Sequence, residues 1–144
     1  MKLARSARTA LLAAMEMAAA DGEPVTVAEV AGRHGLSPTA LAKVLQQMVR
    51  AGLAVGSRGV GGGYRLARDA SEVSVASVLS AFEPPPAAPG PPPGDPVEAR
   101  LHALLQEVDE TARCTLASVT LATLARGPEV LGRPTPYRTY HPLA

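Results

Sequence analysis

The chain has 144 residues, room for one domain with an appendage, and 47% of it is hydrophobic against 19% charged, so most of it can bury a core. Aromatic residues are 3% of the chain, with no Trp, so Leu, Val, Ala and Met must build that core, which suits helices better than a large sheet. The net charge of +1 conceals an asymmetry: residues 1–68 carry nine Lys/Arg and four Asp/Glu (+5), and residues 69–144 carry five and nine (−4). A basic half joined to an acidic half points the first half at a polyanion.

Cys114 is the single cysteine, which rules out an intramolecular disulfide and a multi-cysteine metal site and fits a reducing, cytoplasmic setting. Lys2, Arg5 and Arg8 ahead of Ala10–Ala20 faintly resemble a signal peptide, but Glu16 interrupts the apolar run, and a helix is expected there instead. No stretch reaches the roughly 18 apolar residues of a membrane span.

In chain order, Ala7, Leu11, Leu12, Met15, Ala18 and Ala19 recur at helical spacing over residues 6–20, with Gly22 and Pro24 as the stop. Thr26 and Glu29 fit a capping box for a short helix at 27–34 that buries Val27, Val30 and Ala31. In "HGLSP", Gly35 suits a left-handed helix stop, Ser37 an N-cap and Pro38 a first helical position. His34 is expected at the helix end as a C-cap. A third helix then runs from 38 to about 51. Two helices with a tight glycine-containing turn between them make a helix-turn-helix.

In the third helix Leu41, Val44, Leu45, Met48 and Val49 form the expected inward stripe. Thr39, Lys43, Gln46 and Arg50 share the other face and bring hydrogen-bonding and positive groups without an acid. Such a face suits base edges and phosphates, and it equally suits plain solvation.

The next segment shifts the balance toward DNA. "LAVGS" (53–57) and "GYRLA" (63–67) are β-capable, and the glycine-rich stretch between them reads as a hairpin tip, the wing that follows a helix-turn-helix. Arg58 would project from it toward a narrow, electronegative minor groove. A nucleotide-phosphate loop does not fit: Tyr64 stands where GxGxxG needs glycine, no Gly-Lys-Ser/Thr follows, and the loop leads into a strand.

Ser74 caps a helix at 75–83 with Val75, Val78, Leu79 and Phe82 inward. "PPPAAPGPPPGDP" (84–96) holds eight prolines and is expected to be a solvated, polyproline-like, partly disordered spacer. A long amphipathic helix resumes at 97 with the stripe Val97, Leu101, Leu104, Leu105 and Val108, continues past Cys114, and gives way to a short helix capped by Thr120. A stripe with so little of its own domain to pack on is naturally buried against a second copy. Residues 127–144 read as a disordered tail.

No Ser-His-Asp set, paired-carboxylate site or His-rich metal site can be assembled, so catalysis is not expected; a winged helix used for protein–protein assembly is the competing class, and Lys43 and Arg50 speak against it.

Four segments carry a family resemblance: "MKLARSARTALLAAMEMA", "VTVAEVAGRHGLSPTALAKVLQQMVRAGL", "SRGVGGGYRLARDASEVSVASVLSAFE" and "VTLATLA". Together they resemble the Rrf-two family of winged-helix transcriptional regulators over residues 1–83 and 97–126, most specifically in the Arg-Gly-x-Gly-Gly-Gly-Tyr wing. The resemblance implies a mainly α fold with a small β-hairpin wing and a long C-terminal dimerisation helix. It divides the chain into a DNA-binding domain (1–83), a Pro-rich loop (84–96), dimerisation and following helices (97–126) and a tail (127–144). It further implies a homodimer that binds double-stranded DNA at a roughly palindromic operator, usually as a repressor.

Residue by residue, it places Ser37, Thr39 and Lys43 in the major groove, Arg58 and Gly59 in the minor groove, and Lys2 on a phosphate, with Gln46 and Arg50 nearer the backbone. Ala42 stands where cluster-binding members can carry a discriminating glutamate, and Thr9 where an aromatic phosphate contact is common. Many relatives hold an iron–sulfur cluster on three cysteines ahead of the long helix. Here that loop has none, and His102, at the place of a histidine ligand, cannot hold a cluster alone, so no cofactor is expected. Cys114, expected on the dimer side, reads as a small buried hydrophobe, with a redox-sensing thiol as the alternative.

Overall fold

The computed structural model describes residues 2–84 and 87–127. Three helices come first: α1 (Arg5–Ala19), α2 (Val27–His34) and α3 (Pro38–Arg50). A hairpin follows, β1 (Ala54–Ser57) and β2 (Gly63–Leu66), then a single 3-10 turn at Ala70–Glu72. Three helices complete the order: α4 (Val75–Ser80), α5 (Pro96–Ser118) and α6 (Leu121–Arg126).

The boundaries follow from capping chemistry. The Thr26 hydroxyl accepts from Glu29 N at 3.2 Å while the Glu29 carboxylate accepts from Thr26 N at 3.0 Å, which is the expected capping box. Gly35 ends α2 in the left-handed conformation (φ 61°), Ser37 caps α3, and Pro38 occupies its first turn. His34 is not a C-cap: its Nε2 lies 2.8 Å from the Glu16 carboxylate, which Arg33 also binds, so the pair clips α2 to α1. Burial pushes the Glu16 carboxyl up, but hydrogen bonds from His34 and Arg33 outweigh it and hold the group below the ordinary carboxylate range.

α1 is the central helix, in contact with α2, α3, α4, α6 and β2. Its fully buried residues are Ala7, Ala10, Ala13 and Ala14, with Met17, while Leu11, Leu12 and Met15 are only half-buried and Ala19 is exposed. The expected stripe is thus rotated. Alanines face the neighbouring helices because a helix packed on several sides needs small residues where the axes come close, and the leucines fill the margins. In α3, Leu41, Val44, Leu45 and Met48 are buried as expected, but Val49 is exposed beside the wing. Val27 in α2 is half-buried.

The hairpin is antiparallel, pairing Ala54 with Leu66 and Ser57 with Gly63. A third segment pins it: Val25 N donates to Tyr64 O and Tyr64 N to Val25 O, both at 2.8 Å. The tip glycines therefore serve two needs. Gly59 and Gly61 have φ of +92° and +77°, which turn the chain where side chains are disfavoured. Gly63 makes the close approach, since a Cβ there would sit 2.5 Å from the Val25 carbonyl oxygen.

α5 starts on a cap in which the Asp95 carboxylate accepts from Val97 N and Glu98 N at 3.1 and 2.9 Å. It has 23 residues, about 35 Å at ~1.5 Å per residue, and none of them is buried. Its final turns pack on α4. Beyond them a backbone bridge returns to the head, with Val75 N donating to Val119 O at 2.9 Å and Leu121 N to Val73 O at 2.8 Å. Leu121 of α6 is fully buried in the same core as α1 and α3. Residues 87–93 form neither helix nor strand; Pro85, Pro86 and the tail from 128, with its expected disorder, lie outside the described residues. Among the described residues no helix is long and apolar enough to cross a membrane.

Candidate nucleic-acid interface

Helix periodicity sets Thr39, Lys43, Gln46 and Arg50 on one side of α3, and all four are exposed while the opposite stripe anchors the helix. Ser37 is exposed at its start; its hydroxyl oxygen accepts from Ala40 N at 3.4 Å as the cap and keeps its own proton for donation. The hairpin stands beside the far end of α3. Between them runs a groove of about 430 Å³, lined by Gln46, Val49 and Arg50 from α3 and by Gly56, Ser57, Arg58 and Tyr64 from the hairpin. Three of the expected contact residues, Gln46, Arg50 and Arg58, therefore meet around one groove. Ser37, Thr39 and Lys43 extend the α3 surface away from it, and Gly59 begins the wing tip. Lys2 is exposed ahead of α1 and does not line the groove.

The cations of this surface are uncommitted. Among the described residues the ion pairs are Glu16 with Arg33 and His34, and Glu110 with Arg113; Lys43, Arg50 and Arg58 have no carboxylate partner. Each can reach a phosphate without first breaking a pair. Thr9 is buried and offers nothing to a phosphate, and Ala42 is half-buried on the flank of α3.

Two residues belong to this surface that sequence periodicity did not assign to it. Val49 lines the groove, although it sits one step from the core stripe. Val60 is fully exposed at the wing tip, between the two left-handed glycines. An apolar residue enclosed by turn-forming glycines was the only signal for it.

Cys114 is not buried within its own chain, its Sγ lying 3.8 Å from a Glu110 carboxylate oxygen. Nor does it share the apolar stripe: six residues beyond Val108, at ~100° per residue, it lies about 120° round the helix. His102 is twelve residues away, about 18 Å along the axis.

A helix-turn-helix with a glycine-tipped wing and a projecting C-terminal helix defines a winged-helix regulator, and residues 3–127 match the Rrf2 family, described as iron-dependent transcriptional regulators. The chain is 36% identical over 132 residues to BadM of Rhodopseudomonas palustris, an HTH-type transcriptional regulator by name, covering 88% of this chain and 82% of that one. It is 33% identical over 138 residues to the HTH-type transcriptional regulator IscR of Xenorhabdus nematophila, covering 91% and 83%. The solved structure of IscR from T. potens superposes with a TM-score of 0.73 at 25% identity, over 97% of each chain. The chain belongs to the Rrf2 family of transcriptional regulators; it is not an enzyme.

The family description names iron, but the residues present here do not fit an iron–sulfur cluster. A cluster needs several thiolates, and this chain has one cysteine, three helical turns from the candidate histidine. Among the described residues no three His, Cys, Asp or Glu side chains come together as a metal site.

Proposed function

We propose that this regulator is a cytoplasmic, sequence-specific DNA-binding repressor that acts as a homodimer on a roughly palindromic operator and carries no iron–sulfur cluster. Residues 1–83 form its DNA-binding part, the 84–96 segment a spacer, and residues 97–126 the dimerisation helix and the short helix after it. The observation that carries the reading is the groove between α3 and the wing, where the uncommitted cations Arg50 and Arg58 flank Gln46. With α3 in the major groove, Ser37, Thr39 and Lys43 face base edges, and the wing reaches the adjacent minor groove with Arg58 and Gly59. Gln46 and Arg50 then meet the sugar–phosphate strand that passes between the two grooves, and Lys2 meets a flanking phosphate.

Dimerisation is supported by α5. Val97, Leu101, Leu104, Leu105 and Val108 are 55–70% exposed on one stripe that nothing in the chain covers among the described residues. Two copies joined along it present two α3 helices, and a two-fold protein reads a two-fold site.

The test is recovery of bound genomic fragments followed by affinity measurement over a range of salt. A shared inverted-repeat sequence and a steep fall of affinity with salt are expected. Binding without sequence preference, or no binding at low salt, refutes the reading.

A further inference from the structure

α4 carries a cavity on the side facing α5. Its floor is apolar, made by Ala76 and Leu79 of α4 and by Ala112 and Leu116 of α5, and its volume is about 650 Å³. Ala76 and Ala112 cut both helices back, so the space between the helices stays unfilled while Leu79 and Leu116 hold them together. The volume falls in the range of small-molecule sites.

The rim is net negative. Glu83 and Asp109 border the cavity, and neither has a cationic partner within 4 Å among the described residues. Arg113 also borders it, with its Nε and Nη2 donating to Glu110 Oε2 at 3.2 and 2.9 Å, so with the nearby Glu110 counted three carboxylates stand against one guanidinium. A net negative rim beside an apolar floor favours a cation and repels an anion. The α5 residues that line the cavity, 109–117, follow the apolar stripe of 97–108 along the helix axis rather than lying within it.

The cavity wall is also tied to the recognition helix. Ser80 lines the cavity, and the next residue, Ala81, accepts a 2.8 Å hydrogen bond through its carbonyl from Gln47 Nε2 of α3. Glu83 accepts from Ala4 N at 3.4 Å, at the head of α1. A molecule seated here bears on α4, which packs on α5 and on α1 and whose C-cap residue Ala81 is bonded to Gln47 of α3.

We propose that this cavity binds a small apolar molecule bearing one cationic group, and that its occupancy is transmitted to α3 through the Gln47–Ala81 hydrogen bond. The binding half stands without reference to DNA; the transmission half rests on the DNA-binding reading.

Calorimetry of the full chain with phenethylamine and hexylamine, and with phenylacetate and hexanoate, tests the first half. The amines are expected to bind at least about tenfold tighter than the carboxylates. Glu83→Gln combined with Asp109→Asn should erase that preference, and Ala112→Leu, which fills the floor, should abolish binding by either class, with folding checked by circular dichroism. No binding by either amine, equal binding by the carboxylates, or binding that survives Ala112→Leu overturns the site.

For the second half, saturating phenethylamine should change affinity for a recovered operator fragment by about fivefold or more in the wild type. Gln47→Ala should still bind the amine and lose that change. Amine binding with unaltered operator affinity overturns the transmission. A chain that binds no DNA overturns the DNA-binding reading instead, and the calorimetry still decides the cavity.

Discussion

Replacing both Leu101 and Leu104 with alanine tests the dimer directly. Each leucine keeps a little over half its surface exposed in the single chain, 57% and 56%. Fully burying a leucine is worth about 1.5–3 kcal/mol, so the exposed fraction and the atoms lost on truncation come to roughly 1 kcal/mol per leucine. A two-fold interface counts each substitution twice, giving four truncations and about 4 kcal/mol. At ~1.4 kcal/mol per decade, the dimer dissociation constant rises about a thousandfold. Sedimentation velocity over a dilution series measures it. The protomer has little to lose, because neither leucine is in its core, so the circular dichroism of the separated variant should match the wild type. A variant that dimerises with unchanged affinity refutes the assignment of the stripe, and a wild-type chain that is monomeric at high concentration refutes the dimer itself.

Arg58→Ala should weaken operator binding by about 1–3 kcal/mol and relax preference in the minor-groove segment, read by fluorescence anisotropy at fixed salt; unchanged affinity removes the wing from recognition. Arg50→Gln should instead weaken binding to all sequences and lower the salt slope by about one, and an unchanged slope means that it meets no phosphate. Gly63→Ala should destabilise the fold by about 2 kcal/mol or more, since its Cβ would meet the Val25 carbonyl oxygen at 2.5 Å, whereas Gly61→Ala carries only the left-handed penalty of about 1 kcal/mol. Equal urea midpoints for these two would refute the close-approach explanation. Glu16 is held ionised below its ordinary pKa of 4.5, so its pairing contributes stability that is fully present above that value and lost as the pH falls through the depressed native one. Glu16→Gln should therefore flatten the acid side of the stability curve, and parallel curves for the two proteins would contradict the Arg33–Glu16–His34 clip.

What was legible in the sequence was whatever local chemistry decides. The ends of α2 and the start of α3 follow from Thr26, Glu29, Gly35, Ser37 and Pro38, each of which satisfies or stops a backbone within three residues of itself. The hairpin was legible because glycine at 59 and 61 answers a backbone requirement at its own position. What was hidden depends on neighbours distant in sequence. The orientation of α1 depends on helices packing round it, and hydrophobicity weights leucine above alanine when close packing does the reverse. Val49 reads as core by period and becomes groove because the hairpin folds back beside it. Gln47 looks like one more polar residue of α3 until Ala81, 34 positions later, brings a carbonyl to it. The groove has the same origin. Gln46, Arg50 and Arg58 are spread over two elements, and only the turn at Ala51–Gly52, with Gly52 N donating to Val49 O at 3.0 Å, brings them to one opening. The types of residue that meet a polyanion are thus written locally, while the spacing between them, on which any selectivity for one duplex sequence depends, is made by the fold.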